Sequence, residues 1–456
     1  MVLQMKLTFL GATNTVTGSK FLLTIGSKRI LIDCGLFQGL KELRVRNWTK
    51  FPIEPKTIDA VVLTHAHIDH TGYLPLLIKN GFKGKVYCSH ATKDLCAVLL
   101  PDSGYLQEEE AKFLNKHGMS KHKPALPLYT KQDAENALPF LYAIPFRKLY
   151  KLDEGTFISL VPAGHILGAT FVLFKHYDTT VLFSGDLGRP EDIIMQAPAI
   201  MQAADYLVIE STYGNRLHNK TDPLDELEAI IKRTIARSGT VVIPAFAVGR
   251  AQHILYLMYL LKKQNRIPNV PIYLDSPMAK DATKLFVKYA DLHRLDANLS
   301  KEVSEVAEIV NSKEESQALD LVTTPKIIIS ASGMLEGGRV LHHIKTFAPD
   351  EKSTIVFAGY QAMGTRGADM INGKPEIKIF GTSVPIKAEV KVLSNMSAHA
   401  DYEEILQWLS HFNHHPRKVF ITHGEPEAAN ALKEKIEKRY KWPCVVPDYL
   451  QTENLT

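Results

Sequence analysis

The stretch "VVLTHAHIDHTG", residues 61–72, sets three histidines and an aspartate within six positions of one another. The apolar run before it reads as a buried strand, and the chemistry-bearing residues begin where that strand gives way to a loop. Alternate residues of an extended segment face the same side, so His65 and His67 can turn together toward one centre. Asp69 and His70 fall at the following turn and can face a second. Neutral imidazole and carboxylate suit zinc and similar first-row ions. With only 18 histidines in 456 residues, a solvated loop is a poor account of this clustering.

Three more sites share the form of a strand that ends in a potential ligand beside a glycine or small residue. They are His165 in "LVPAGHILGA", Asp186 in "VLFSGDLGR" and His423 in "KVFITHGE". A lone histidine after a strand is ordinarily structural. Three such sites in a chain that already holds the first motif reverse that expectation. Together they make seven ligands, enough for two metal ions if one carboxylate bridges.

Composition narrows the class. Hydrophobic residues make up 45% and charged residues 23% of the chain, the balance of a soluble globular protein. A formal charge of +5 permits a groove for an anionic polymer without requiring one. Cys34, Cys88, Cys96 and Cys444 form no C-x-x-C pair and no disulfide framework, and they read as reduced thiols of a cytoplasmic protein. The start, "MVLQMKLTFLGATN", lacks the features of a signal peptide. The apolar stretch "ILYLMYLL" from Ile254 is far short of the ~20 residues that span a bilayer. No membrane association is expected.

Organisation follows from texture. Short strands and tight turns run from Lys6 to Asp33, with a turn at Gly26-Ser27, and strand signals recur to "TVLFSGD". Cys96 to Lys151 is charged and helix-prone and reads as a helical excursion. From Glu210 onward longer strands and helices alternate, as in "GTVVIPAFAVGRAQHILYLMYLLKK", which predicts a parallel sheet flanked by helices. Residues 389–456 return to strand, helix, strand. The expected plan is one domain in two parts, 1–208 and 389–456, with a second domain, 209–388, inserted.

"THAHIDH", "AGHILGA", "FSGDLGR" and "THGE", in this order, resemble the four ligand motifs of the metallo-β-lactamase fold. The resemblance implies an αββα sandwich with His65, His67 and His165 on one zinc, Asp69, His70 and His423 on another, and Asp186 bridging. Ions ~3.5–4 Å apart would activate a water and stabilise both oxygens of an in-line displacement. Glu210 in "YLVIESTYGNR" and His399 in "NMSAHADYEEI" resemble motifs A and B of the β-CASP family, and His423 fits the motif C of its RNA-directed members. That family includes the endonuclease subunit of the cleavage and polyadenylation specificity factor and ribonuclease J. The likeness covers nearly the whole chain, through "DCGLFQG", "PAFAVGRAQ", "SASGMLEGGRVLHH" and "GYQAMGTRG". Met396 and Gly104-Tyr105 depart from its usual pattern and touch no proposed ligand.

Hydrolysis of RNA must expel an alkoxide, which benefits from a proton donor opposite the nucleophile. His399 is the candidate acid, and Glu210 can accept its other N–H and raise its pKa. Asp33, ending a strand before Cys34-Gly35, can hold a ligand histidine. Small-residue loops between strands and helices can receive phosphates on backbone N–H groups, with Arg250, Ser332, Arg339 and Arg366 beside them. His342 and His343 read as helix packing. The leading expectation is a dizinc ribonuclease that cuts single-stranded RNA endonucleolytically, with a homodimer allowed. Its alternatives are 5′-exonuclease action, a small-molecule ester or lactam hydrolase, and a non-catalytic RNA-processing scaffold.

Overall fold

The strand Ala60–Val62, which delivers the chain to His65, is buried throughout and pairs in parallel with Lys28–Ile32 and Lys85–Cys88. A strand covered on both faces has no reason to alternate, which is why this segment is apolar at every position. Met5–Phe9, paired antiparallel with Phe21–Ile25 and Thr452–Leu455, instead alternates buried and more open positions. The computed structural model describes residues 4–455; residues 1–3, where the stretch expected not to be a leader begins, lie outside it.

These strands belong to a seven-stranded sheet that ends at Leu141–Ala143. A second seven-stranded sheet runs in the order Cys444–Val445, Lys418–Thr422, Tyr206–Glu210, Thr179–Phe183, Thr170–His176, Thr156–Pro162 and Tyr150–Asp153. One core joins the two: Phe9, Leu23, Ile32 and Val62 from the first pack with Phe174, Phe183, Val208 and Phe420 from the second. The Phe9 and Phe420 rings lie 5.2 Å apart and those of Phe21 and Phe183 5.9 Å. Each such side chain fully buried contributes roughly 1.5–3 kcal/mol. Helices such as His90–Lys116 and Pro426–Tyr440 pack on the sheets, and the result is an αββα sandwich.

Strand direction places the site. Thr179–Phe183, Tyr206–Glu210 and Lys418–Thr422 are parallel neighbours. Thr156–Pro162 is antiparallel to Thr170–His176, which is antiparallel to Thr179–Phe183. Thr156–Pro162, Thr179–Phe183, Tyr206–Glu210 and Lys418–Thr422 therefore run the same way, and the loops after them emerge at one sheet edge.

The excursion expected over Cys96–Lys151 takes in all but the first six residues of the 27-residue helix His90–Lys116, begun by Ser89, whose Oγ accepts from Thr92 N at 3.1 Å. It also holds the strands Leu141–Ala143 and Tyr150–Asp153, which are too short to stand out among lysines and prolines.

Residues 218–398 form a second compact unit with its own sheet. Its six strands, Glu308–Ile309, Ile272–Asp275, Ile327–Ser330, Val241–Pro244, Thr354–Phe357 and Glu389–Val392, are all parallel to their neighbours. Parallel neighbours require crossovers, and helices such as Arg250–Lys263 and Pro277–Lys288 supply them. Ile328, Leu335, Ile344, Ile355 and Phe357 form its core. The chain stays in this unit beyond the expected return at residue 389, because Glu389–Val392 is the sheet's edge strand. Among the described residues, no helix is long and apolar enough to cross a membrane.

Candidate metal centre

The seven residues singled out in the sequence converge within the first unit. His65 and His67 follow Ala60–Val62, and Asp69 and His70 sit in the short helix Ile68–Thr71. His165, Asp186 and His423 lie just after strand ends. His423 takes a left-handed backbone, with φ 50°, which turns it back over the edge. Ligand-type atoms of His65, His67, His165 and Asp186 all lie within 4.8 Å of one another, as do those of Asp69, His70 and His423.

Donor atoms about 2.0–2.1 Å from a tetrahedral zinc stand about 3.3 Å from one another. In the first group, His67 Nδ1 lies 3.1 Å from His65 Nε2 and 3.3 Å from His165 Nε2. Asp186 Oδ2 lies 3.4 and 3.3 Å from the same two Nε2 atoms. In the second group, His70 Nε2 and His423 Nε2 are 3.2 Å apart, and Asp69 Oδ2 lies 3.8 and 3.4 Å from them. Asp186 Oδ1 faces this second group, at 3.2 Å from His70 and 3.6 Å from His423. These spacings fit a metal in each donor group.

Electrostatics favour neutral, ligating rings in the first group. In the second, burial opposes charge on His70, but Asp186, Asp33 and Asp69 outweigh it and raise the His70 pKa well above its usual value, so that His70 gives up a proton on binding a metal. Burial, with the His70 charge, pulls the His65 pKa down to about 3, and burial likewise lowers His67 and His165. The three rings are thus held neutral, the form that ligates. Burial works against ionised Asp186, but the surrounding imidazoles outweigh it and hold the carboxyl well below its usual range. At Asp69 the same opposition is won by His70 and His423.

Around the donors lies a ring of supporting groups. Asp33, fully buried with φ 58°, accepts from Thr64 N at 2.7 Å and Thr64 Oγ1 at 2.9 Å. Its Oδ2 lies 2.7 Å from His70 Nδ1, which turns His70 Nε2 toward the second group. The sequence signal missed the two threonines. Thr64 Oγ1 sits 3.0 Å from His65 Nδ1, and Thr212 Oγ1 sits 3.1 Å from His423 Nδ1. Only their places, directly before His65 and in the turn after Glu210, could have marked them.

Glu210 and His399 also meet. His399 Nδ1 lies 3.0 and 3.1 Å from the two Glu210 oxygens and 3.9 Å from Asp186 Oδ2. Glu210 Oε1 also accepts from Leu187 N at 2.7 Å, which fixes the carboxylate. Burial disfavours the charged His399 ring, but Glu210 and Asp186 outweigh it and raise its pKa to about 9. A charged imidazolium beside a metal site can donate a proton to a leaving oxygen.

The four residues read as phosphate contacts belong to the second unit, where Arg339, Arg366 and Ser332 are engaged by neighbouring groups. Arg339 donates to Asp275 Oδ1 at 2.7 Å and to the carbonyls of Val310 and Asn311 at 3.2 Å. Arg366 donates to Lys378 O at 2.7 Å and Leu335 O at 3.0 Å. Ser332 Oγ accepts from Glu336 N at 3.0 Å. Arg250 begins the helix Arg250–Lys263 and is 8% exposed. His343 is more than packing: its nitrogens meet Asp275 at 2.7 Å and Asp320 at 2.6 Å in a buried polar network.

Comparison with known proteins finds three matched segments along the chain. Residues 15–237 match the metallo-beta-lactamase superfamily, residues 251–370 the Beta-Casp domain, and residues 383–447 the Zn-dependent metallo-hydrolase RNA specificity domain. Ribonuclease TTHA0252 of Thermus thermophilus is 37% identical over 95% of this chain and 96% of its own length. The transcription termination factor FttA of Methanosarcina mazei is 32% identical over 96% of this chain and 69% of its own. A crystal structure of a protein of unknown function from Enterococcus faecalis shares the fold, with a TM-score of 0.52 at 12% identity, over 99% of this chain and 100% of that one. With its sandwich, its inserted parallel sheet and its clustered imidazoles and carboxylates, the chain belongs to the β-CASP family of metal-dependent hydrolases within the metallo-β-lactamase superfamily.

Proposed function

We propose that the protein is a dizinc ribonuclease that hydrolyses phosphodiester bonds of single-stranded RNA, cutting within the chain. The observation that carries this reading is the Glu210–His399 pair, 3.0 Å across, set beside seven converging donor residues. Relatives named as a ribonuclease and a termination factor, and the match to an RNA specificity domain, support RNA as the substrate. The two oxygens of Asp186 face different donor groups, which supports two ions with this carboxylate between them. Bound metal supplies an acidified nucleophile and positive charge opposite the phosphoryl oxygens.

The chain's own residues do the rest. His65, His67, His165, Asp69, His70, His423 and Asp186 hold the ions, and Asp33 orients His70. His399, kept protonated by Glu210, gives its proton to the departing 3′ oxygen, leaving a 5′-phosphate and a 3′-hydroxyl. A lactam or ester hydrolase would use such a donor as well, so the match to an RNA specificity domain and the ribonuclease relative, rather than His399 alone, favour RNA over those substrates.

The test is digestion of linear 5′-phosphorylated, 5′-triphosphorylated and circular RNA by zinc-loaded protein, with zinc counted per chain. Opening of the circle is expected, together with two zinc ions. Activity confined to 5′-phosphorylated linear RNA would replace internal cutting with 5′-exonuclease action, and untouched RNA at full zinc occupancy would overturn the ribonuclease. His399→Ala is expected to lower kcat on the order of 10²–10⁴-fold while the zinc content stays at two.

A further inference from the structure

A cavity of about 590 Å³ walled by Trp48, Lys50, Phe51, Lys56, Tyr73 and Leu128 lies outside the donor groups and takes no part in the chemistry above. It combines one exposed aromatic side chain, Trp48, with cations. Trp48 is 60% exposed, whereas the other two tryptophans, Trp408 and Trp442, are 5% and 6% exposed. A single exposed side chain would mean little. This one lines the cavity together with Phe51 and Tyr73, which are 8% and 3% exposed and whose rings lie 5.4 Å apart.

The charges nearby favour a polyanion. Between Lys41 and Lys56 the chain carries Lys41, Arg44, Arg46, Lys50 and Lys56 against Glu42 and Glu54. Leu128 comes from a segment, 112–131, with lysines at 112, 116, 121, 123 and 131, of which Lys112 pairs with Glu109 at 2.8 Å and Lys131 with Glu135 at 3.7 Å. Lys56 pairs with Glu54 at 2.9 Å, but both are more than half exposed. Such a pair is weak, and a phosphate can displace it.

The cavity is also anchored to the ligand loop. Asn47 clamps the backbone of Phe37, accepting from its N at 3.0 Å and donating to its O at 2.8 Å. Two links join the next residues back to that loop: Leu36 N donates to Ile68 O at 3.0 Å and Cys34 N to His70 O at 2.7 Å. Tyr73 follows directly after the loop, and its N donates to Cys34 O at 2.9 Å. A strand seated in the cavity is therefore held by the same frame that carries Asp69 and His70.

We propose that this cavity is an accessory subsite for single-stranded RNA, in which Trp48 stacks on a nucleobase and Lys50 and Lys56 meet the flanking phosphates. The inference rests on the ribonuclease reading for its ligand and adds where the strand is held. Every base has a flat aromatic face, so the subsite accepts any sequence.

Kinetics on a long single-stranded RNA and on bis(p-nitrophenyl) phosphate test it, with tryptophan fluorescence of zinc-loaded His399→Ala protein titrated with oligoadenylate. Trp48→Ala is expected to raise KM for RNA about five- to hundredfold with kcat unchanged, and to leave the small substrate unaffected. Trp48→Phe keeps most of the affinity but loses the fluorescence quenching. Lys50→Glu with Lys56→Glu raises KM and lowers the salt slope by roughly 0.7 per lost contact. Unchanged KM in Trp48→Ala, or quenching that survives in Trp48→Phe, overturns the subsite while leaving the ribonuclease intact. Quenching that depends on Trp48 in a protein that cuts no RNA supports the subsite and removes the ribonuclease.

Discussion

At the scale of single residues, Asp33 and Lys20 show how burial is turned to use. Asp33 holds a left-handed backbone, φ 58°, which disfavours a residue other than glycine by of order 1–3 kcal/mol. In return its carboxylate meets Thr64 N, Thr64 Oγ1 and His70 Nδ1. Asp33→Asn keeps the shape but sets an amide against His70, and zinc affinity is expected to fall about 10–100-fold. Competition with a chromogenic chelator measures that loss, and wild-type affinity in the variant would reduce Asp33 to a turn residue. Lys20 is 2% exposed, with Nζ 3.2 Å from Gly18 O and 4.3 Å from the Phe37 ring centre. Burial lowers its pKa to about 8, with the Cys34 thiol opposing and Arg46 adding to the fall. The unfolded amine ionises near 10.5, so between about pH 8 and that value the unfolded chain binds more protons and stability rises with pH. Below pH 8 the native state carries the whole burden, of order 3 kcal/mol. Lys20→Met should therefore be more stable than wild type at pH 7, with the gap closing toward pH 10. Cys34, whose thiol burial pushes up to about 12, titrates in both proteins and drops out of the comparison. Urea midpoints at the two pH values measure the gap, and an equal gap at both would exclude Lys20 as its source.

At the scale of elements, the site is a product of strand ends, and strand ends are where the sequence speaks most clearly. Ala60–Val62 is uniformly apolar and stops before His65, and Lys418–Thr422 stops before His423 in the same way. Both were legible because chemistry-bearing residues directly follow a buried run. Less legible were contacts between distant segments in ordinary surroundings. Arg339 reads as a phosphate contact because it follows Gly337-Gly338, yet its guanidinium meets Asp275, with which His343 also pairs. Glu389–Val392 looks like any short strand, and only its pairing with Thr354–Phe357 places it in the second unit. Gly35 shows the opposite case, a residue whose reason is wholly spatial. A Cβ there would lie 1.5 Å from Asp69 O, so the strand-end turn and the ligand loop can approach only without a side chain. Gly35→Ala is expected to push the loop outward, weaken zinc binding and destabilise the metal-free protein by roughly 1–3 kcal/mol. Thermal melts in chelator together with zinc titration test this, and an unchanged melt would mean the turn relaxes without the loop.

At the scale of the whole molecule, each of the two units has a hydrophobic core of its own among the described residues. The first unites the two seven-stranded sheets, and the second belongs to residues 218–398. All seven donors come from the first unit, yet in sequence they run from His65 to His423, around the whole second unit. A metal bound by native donors stabilises only the structure that brings them together. At a free zinc concentration 1,000 times Kd that stabilisation is about 4 kcal/mol. Binding by the unfolded "HAHIDH" segment subtracts part of it. Calorimetry is therefore expected to resolve two transitions, and a chelator should lower the midpoint of the first unit alone. Asp186→Ala, which removes the carboxylate facing both donor groups, should abolish most of the zinc-dependent shift and leave the second transition in place. A chelator that lowers both midpoints equally would mean that the two cores melt as one cooperative body.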